Sequence, residues 1–263
     1  MTTTTANPWL RSLRETSQSS RHVLFFPHAG GSATYFHPFA EHLPGSLGVW
    51  AAQYPGRQDR RHEPFVESVE ELAERIVRNL GPLRAAPLAL FGHSMGAAVA
   101  FEVARRLDTR PSDPSRQLIV SGRRAPSTTR EENVHRGTDR QVLAAVAKLD
   151  GTSARLLEDP EIVRMILPAI RNDYRAIELY RPAPSAVVDL PILCLAGDRD
   201  PQVTDREASA WRAHTTGVFQ QRTFPGGHFY LADHRTAVSK EISRFVSESS
   251  AELSRVTDGQ AES

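Results

Sequence analysis

The residues best suited to chemistry are Gly92-His93-Ser94-Met95-Gly96. They follow the apolar run PLALF at 87–91 and precede AAVAFEVARRL at 97–107, whose Val99, Val103 and Leu107 share one helical face. G-x-S-x-G between a strand and a helix is the setting of a nucleophile elbow. A sharp turn exposes the serine hydroxyl at the sheet edge, and the flanking glycines let neighbouring backbone pass close by. The following helix offers its first N–H groups and the positive end of its dipole to a developing anion. The plain alternative is a Gly/Ser turn that only links strand to helix.

A serine hydroxyl needs a base within hydrogen-bond reach. Of ten histidines, His228 in FPGGHFYL is the best placed, because it follows the last strand pattern in a Gly-rich turn and precedes the final helix. His93 adjoins Ser94, but the elbow points its ring away; His214 and His234 lie on helical patterns and read as packing or surface residues. The orienting acid should follow a strand lying between them in the chain, and LCLAGDRDPQV supplies Asp198 and Asp200. Asp200, beyond the turn and before Pro201, is favoured, with Asp198 a turn residue. The chain order Ser, Asp, His is that of such hydrolytic triads. Two backbone N–H groups must meet the oxyanion. Met95 provides one by position, and Ala29 in Pro27-His28-Ala29-Gly30-Gly31 is the natural source of the other.

Other chemistries find little support. There is no G-K-[ST] phosphate loop, no H-E-x-x-H and no paired-cysteine spacing, so no metal is expected. The single cysteine, Cys194, lies in an apolar strand run and reads as core; it cannot form an internal disulfide, which fits a reducing, cytoplasmic setting. Arg57, Arg60 and Arg61 cluster after Tyr54-Pro55-Gly56; such a cluster is usually a solvated loop, with partner docking as the sharper reading.

The elements that must position these residues alternate. Strand patterns fall at 22–27, 48–55, 87–91, 118–122, 191–197 and 218–224. Helical patterns include 68–80, opened by the Ser68/Glu71 capping-box spacing, and 236–246. Continuously apolar strands separated by helices predict an α/β fold with a mostly parallel sheet covered on both faces. Residues 123–186 hold helical patterns, QVLAAVAKL and EIVRMILPAI, without a convincing strand, and read as a helical insertion. The Thr/Ser-rich segment 1–20 and the polar tail 248–263 are expected to be mobile.

With 263 residues, 40% hydrophobic, 24% charged and a net charge of +1, the chain suits one large domain, here 21–247, and excludes wholesale disorder. Near-neutrality speaks against nucleic-acid binding, and no run reaches the roughly 18 apolar residues of a membrane span. No secretory signal pattern is seen. Two lysines against thirty arginines read as a coding bias. No coiled-coil seam is visible, so a monomer with transient partners is expected.

Four segments together carry a family resemblance: FPHAGGSATYF at 26–36, YPGRQDRR at 54–61, FGHSMG at 91–96, and GDRD at 197–200 with PGGHFYL at 225–231. Over residues 20–247 the chain resembles the α/β-hydrolases, and within them the discrete type II (editing) thioesterases of polyketide and nonribosomal peptide synthesis. The resemblance implies a lid at 123–186 and hydrolysis of stalled acyl groups from the phosphopantetheine arm of carrier proteins, through an acyl-serine. It implies no diffusible cofactor, since the arm arrives on the partner. Carriers of this kind are usually acidic, so Arg57, Arg60 and Arg61 become candidate docking residues. The alternatives are a small-molecule carboxylesterase or free acyl-CoA thioesterase, and a hydrolase-fold binding module without turnover. A chain-terminating thioesterase cut from a megasynthase is less expected, given Met1, the polar start and no carrier remnant.

Overall fold

The apolar runs become adjacent strands. In a computed structural model, which describes residues 7–14, 19, 21–107, 116–149, 159–183 and 185–248, seven strands form one sheet. They are β1 Leu10–Arg14, β2 Arg21–Phe26, β3 Leu47–Ala52, β4 Leu88–His93, β5 Arg116–Ser121, β6 Ile192–Gly197 and β7 Phe219–Phe224. Their order is β1-β3-β2-β4-β5-β6-β7, parallel throughout except for β1, which runs antiparallel to β3.

Alternate side chains enter two cores because successive residues of a strand point to opposite faces. Leu24, Leu90, Leu118 and Ile192 face helices α2 (Val69–Arg78) and α3 (Met95–Leu107). Val23, Phe25, Phe91 and Leu193 face α1 (His37–His42) and α6 (Arg235–Ser247). Ser68 caps α2 by accepting the Glu71 N–H at 3.2 Å. The small residues of α3 let it lie close against the sheet, and that closeness shapes the site.

The reading of residues 1–20 as a mobile segment is corrected over 10–14. Leu10 pairs with Ala52 and Ser12 with Trp50 at the sheet edge. Burial of Trp9 and Leu10 supplies the apolar drive, and the Arg14 guanidinium donates to the Ala40 and Leu43 carbonyls at 2.8 and 3.2 Å. The polar segment 248–263, expected to be mobile, lies outside the described residues from 249 onward.

Between β5 and β6 the described residues contain helices and no strand, as the periodicity predicts: α4 is Asp139–Ala147 and α5 is Pro160–Leu179. Thr138 and Gln141 close a capping box on α4, and the Asp159 carboxylate accepts the Glu161 N–H at 2.8 Å to start α5. Val142, Leu167 and Ile170 join the two helices in a small core of their own.

Cys194, on β6, is buried, and burial pushes its thiol pKa well up. Folded protein should therefore resist alkylation by iodoacetamide at pH 8, with modification appearing only as denaturant unfolds the sheet. Rapid labelling of folded protein would contradict the central position of β6. Among the described residues, no helix is long and apolar enough to cross a membrane.

Candidate active site

Every candidate side chain or N–H lies just beyond the carboxyl end of a parallel strand. Ala29 follows β2, Ser94 follows β4, Asp200 follows β6 and His228 follows β7. Strands β2 and β4 are neighbours, yet the chain leaves β2 for β3 on one side and returns to β4 on the other. Such a reversal opens a crevice at the strand ends where ligands bind in open α/β sheets.

Ser94 sits at φ 55°, a left-handed conformation that costs a non-glycine residue about 1–2 kcal/mol. Its N–H donates to the Ser121 carbonyl at 2.8 Å and its own carbonyl accepts the Ala97 N–H at 3.0 Å, which pins the turn on both sides. A Cβ at Gly92 would stand 2.1 Å from the Gly96 carbonyl oxygen, and one at Gly96 only 2.0 Å from that of Phe26. The elbow therefore exists only with glycine at both places.

The structure brings the three expected side chains together. His228 Nε2 is 2.9 Å from Ser94 Oγ, and His228 Nδ1 is 3.0 and 2.9 Å from the two Asp200 oxygens. The network assigns the proton to Nδ1, donating to the carboxylate and leaving Nε2 to accept from the hydroxyl. Asp200 Oδ1 also accepts the Gln202 N–H at 2.8 Å, which fixes the carboxylate plane. Asp198 takes the turn role: its Oδ1 accepts the Gly226 N–H at 2.7 Å and so holds the loop that carries His228.

The other histidines are otherwise engaged. His93 Nδ1 lies 3.0 Å from Ser121 Oγ, which is 2.7 Å from the Tyr230 hydroxyl. Burial first, then nearby His228 and His28, hold the His93 imidazole well below its ordinary pKa, so it stays neutral behind the site. His214 is buried rather than solvent-facing; its Nδ1–H donates to the Ala186 carbonyl at 2.7 Å, and its Nε2 is 2.8 Å from Ser127 Oγ. His234 Nε2 donates to the Pro225 carbonyl at 2.8 Å.

Ser94 and His228 open on a cavity of about 70 Å³ that is continuous with solvent, with Ala29 and Met95 in its wall. Met95 is the first residue of α3, so its N–H has no intrahelical acceptor. Among the described residues the Ala29 N–H likewise meets no acceptor. The far wall comes from α5, within the insertion expected as a lid, through Tyr174, Ile177 and Glu178, residues that nothing in the sequence singled out. Tyr174 is pushed up to about 12, by burial first and then by Glu178 and Glu132, so it presents a phenol. Among the described residues, no cluster of three or more His, Cys, Asp or Glu side chains is placed to hold a metal ion.

The arginine cluster does not form a docking surface. Arg57 is buried and makes a two-pronged pair with Asp173, at 2.7 and 2.9 Å. Arg60 is buried as well, donating to the Gln53 carbonyl at 2.7 Å and to Glu63, with its guanidinium 4.3 Å from the Trp9 ring centroid. Both are structural because their planar guanidinium groups find acceptors and an aromatic face inside the protein. Arg61 alone remains exposed.

This geometry has a known family around it. The family model described as "Thioesterase domain" matches residues 21–246. The chain belongs to the thioesterase domain family. Its fold is the α/β-hydrolase arrangement expected from the sequence. Among curated relatives it is 48% identical over 236 residues to thioesterase PikA5 of Streptomyces venezuelae, spanning 89% of this chain and 84% of that one. Among solved structures it is similar to the type II thioesterase BorB from the borrelidin biosynthetic cluster, with 46% identity, a TM-score of 0.83, and coverage of 92% of this chain and 99% of that one. It is also similar to YbtT, a type II thioesterase of the yersiniabactin pathway, with 30% identity, a TM-score of 0.79, and coverage of 90% and 97%. YbtT has been solved in a serine-to-alanine form too. This thioesterase is accordingly a hydrolase of thioesters, related to enzymes of polyketide and nonribosomal peptide biosynthesis.

Proposed function

We propose that this thioesterase clears acyl groups from the phosphopantetheine arm of carrier proteins in a polyketide or nonribosomal peptide synthase. The reading rests on one observation above all, the unbroken hydrogen-bonded line from Asp200 through His228 to Ser94 at the mouth of the cavity. Ser94 Oγ attacks the thioester carbonyl carbon as His228 Nε2 takes the hydroxyl proton, and Asp200 stabilises the imidazolium without becoming protonated. The negative oxygen turns toward the Ala29 and Met95 N–H groups, each such donor being worth about 2.7–4 kcal/mol at the transition state. Collapse breaks the C–S bond, and His228 passes the proton to the departing pantetheine sulfur. Water then enters, gives a proton to His228, attacks the acyl-serine and releases the free acid, and the proton returns to Ser94. The chain's own groups supply every proton transfer, and the arm comes with the substrate. Of the three arginines, docking of an acidic carrier falls to Arg61 alone.

The test presents one short acyl group in three forms: on a carrier protein, on coenzyme A and as an oxyester. The expected result is a higher kcat/KM on the carrier than on coenzyme A, with the oxyester slowest. Equal rates on carrier and coenzyme A would identify a free acyl-CoA thioesterase, and preference for the oxyester a carboxylesterase. Failure of all three to turn over would leave a binding module.

A further inference from the structure

The loop that carries Ala29 is held by groups remote in sequence. The Tyr54 hydroxyl lies 3.4 Å from the Pro27 carbonyl, and Gln53 Oε1 accepts the Ala33 N–H at 3.0 Å. Between these supports, Asp173 Oδ2 accepts the Gly30 N–H at 2.8 Å, and Arg57, joined to the same carboxylate, donates to the Gly31 carbonyl at 3.1 Å. Asp173 belongs to α5, in the insertion, and is 1% exposed. One helical turn earlier, Ile170 presses on Gly30 so closely that a Cβ there would stand 2.6 Å from Ile170 Cγ1; Gly30 also sits at φ +75°.

The Gly30 N–H is one end of the Ala29–Gly30 peptide. Were that peptide to flip, the Ala29 carbonyl oxygen would replace the N–H beside Asp173, and two negative oxygens would face each other in a buried place. The carboxylate thus selects one orientation of that peptide, and the Gly31 N–H beside it donates at 2.9 Å to the His28 carbonyl, the other end of the His28–Ala29 peptide, and so aims the Ala29 N–H. Arg57 has a second effect. By neutralising Asp173 it removes a buried negative charge that would otherwise oppose the oxyanion a few residues away. Burial lowers the Arg57 pKa, but Asp173 more than offsets it, so the guanidinium stays charged.

We propose that the Arg57–Asp173 pair is a positioning device that ties the oxyanion-hole loop to helix α5, so that the Ala29 N–H is aimed only while α5 is seated. This rests on the reading of Ala29 as an oxyanion donor. Arg57 and Asp173 touch neither substrate nor Ser94; they act through Gly30 and Gly31. Movement of α5 away from the sheet would open the cavity and disarm the oxyanion hole in one step, so acylation would wait for closure over an acyl group.

The experiment uses the double variant Arg57→Met with Asp173→Leu, which replaces a buried ion pair by apolar groups and leaves no uncompensated buried charge. Asp173→Asn, whose amide oxygen can still accept the Gly30 N–H, is the conservative companion. Active sites are counted by complete fluorophosphonate labelling, and turnover is expressed per labelled site. The expected result for the double variant is a kcat about 100-fold lower, the scale of one lost oxyanion donor. KM should stay within about 3-fold, and the inhibition constant of a trifluoromethyl ketone analogue of the acyl-pantetheine should rise in step with the fall in kcat. Asp173→Asn should recover a large part of both. A merely structural role would reduce the count of labelled sites and leave kcat per site and the ketone's inhibition constant unmoved, which would overturn the proposal. If the double variant does not fold, Asp173→Asn against Asp173→Ala decides it: equal kcat per site in the two would also overturn it. Native protein that does not label at Ser94 would instead sink the underlying reading of the site.

Discussion

Replacing Ser94 with alanine lowers kcat/KM for a carrier-bound thioester by about 10⁴-fold or more, because the nucleophile is removed and the remaining machinery has nothing to activate. His228→Ala should give a loss of similar size, and combining the two should cost little beyond either alone, since they act as one unit. Stability separates this from misfolding. Ser94 adopts φ 55°, and alanine at that position bears the same steric cost, so Ser94→Ala should unfold at nearly the native temperature. Glycine carries no such penalty, and Ser94→Gly should be more stable than Ser94→Ala by about 1 kcal/mol. Thioester hydrolysis followed by thiol release, with thermal unfolding on the same samples, checks both. Retention of a tenth of native activity in Ser94→Ala would mean that water, not serine, attacks the substrate.

The second large effect concerns no catalytic atom. Gly96→Ala would place a Cβ 2.0 Å from the Phe26 carbonyl oxygen and 2.7 Å from that of Pro27. Both obstacles are backbone, so relief requires α3 to move off the end of β2. The expected cost is about 3 kcal/mol in urea unfolding, at the upper end of the usual range for overpacking. Folded molecules should turn over about 100-fold more slowly, because α3 carries the Met95 N–H while β2 leads to Ala29, and a displacement of about 1 Å between such groups costs that much. An unchanged urea midpoint with native turnover would show that α3 does not lie as close to β2 as described.

Ser94 and Asp200 were legible in the sequence because each follows a strand that is a continuous apolar run, whereas His228 follows the mostly polar β7, FQQRTF, and was marked instead by its Gly-rich turn before the final helix. HVLFF, PLALF, LIVSG and PILCLAG fix four strands, and with them the positions of Ala29, Ser94 and Asp200. What escaped notice lacks a local signature. The β1 sequence LRSLR offers only two apolar residues among polar ones, and its place at the edge depends on Trp9 and on carbonyls that Arg14 finds near α1. Arg57 and Arg60 carry the composition of a solvated loop. Their acceptors are Asp173, 116 residues away, and the Gln53 carbonyl, neither of which periodicity or spacing predicts. The cavity wall was legible only as the insertion itself: Tyr174 and Glu178 lie beyond the helical pattern EIVRMILPAI and carry no motif.

Helix α5 lends Tyr174, Ile177 and Glu178 to the acyl cavity and Asp173 to the loop beneath it, all within two turns. Chimeras between members of this family inherit a constraint from that arrangement. A donor insertion chosen for its acyl preference brings its own side chains to the position of Asp173, and the recipient keeps its Arg57. A graft without a carboxylate there would carry the donor's selectivity on a scaffold that can no longer use it, whereas moving the insertion together with the YPGR segment transfers both halves of the pair. Substrate choice and catalytic competence thus share one helix, and they are exchangeable only together.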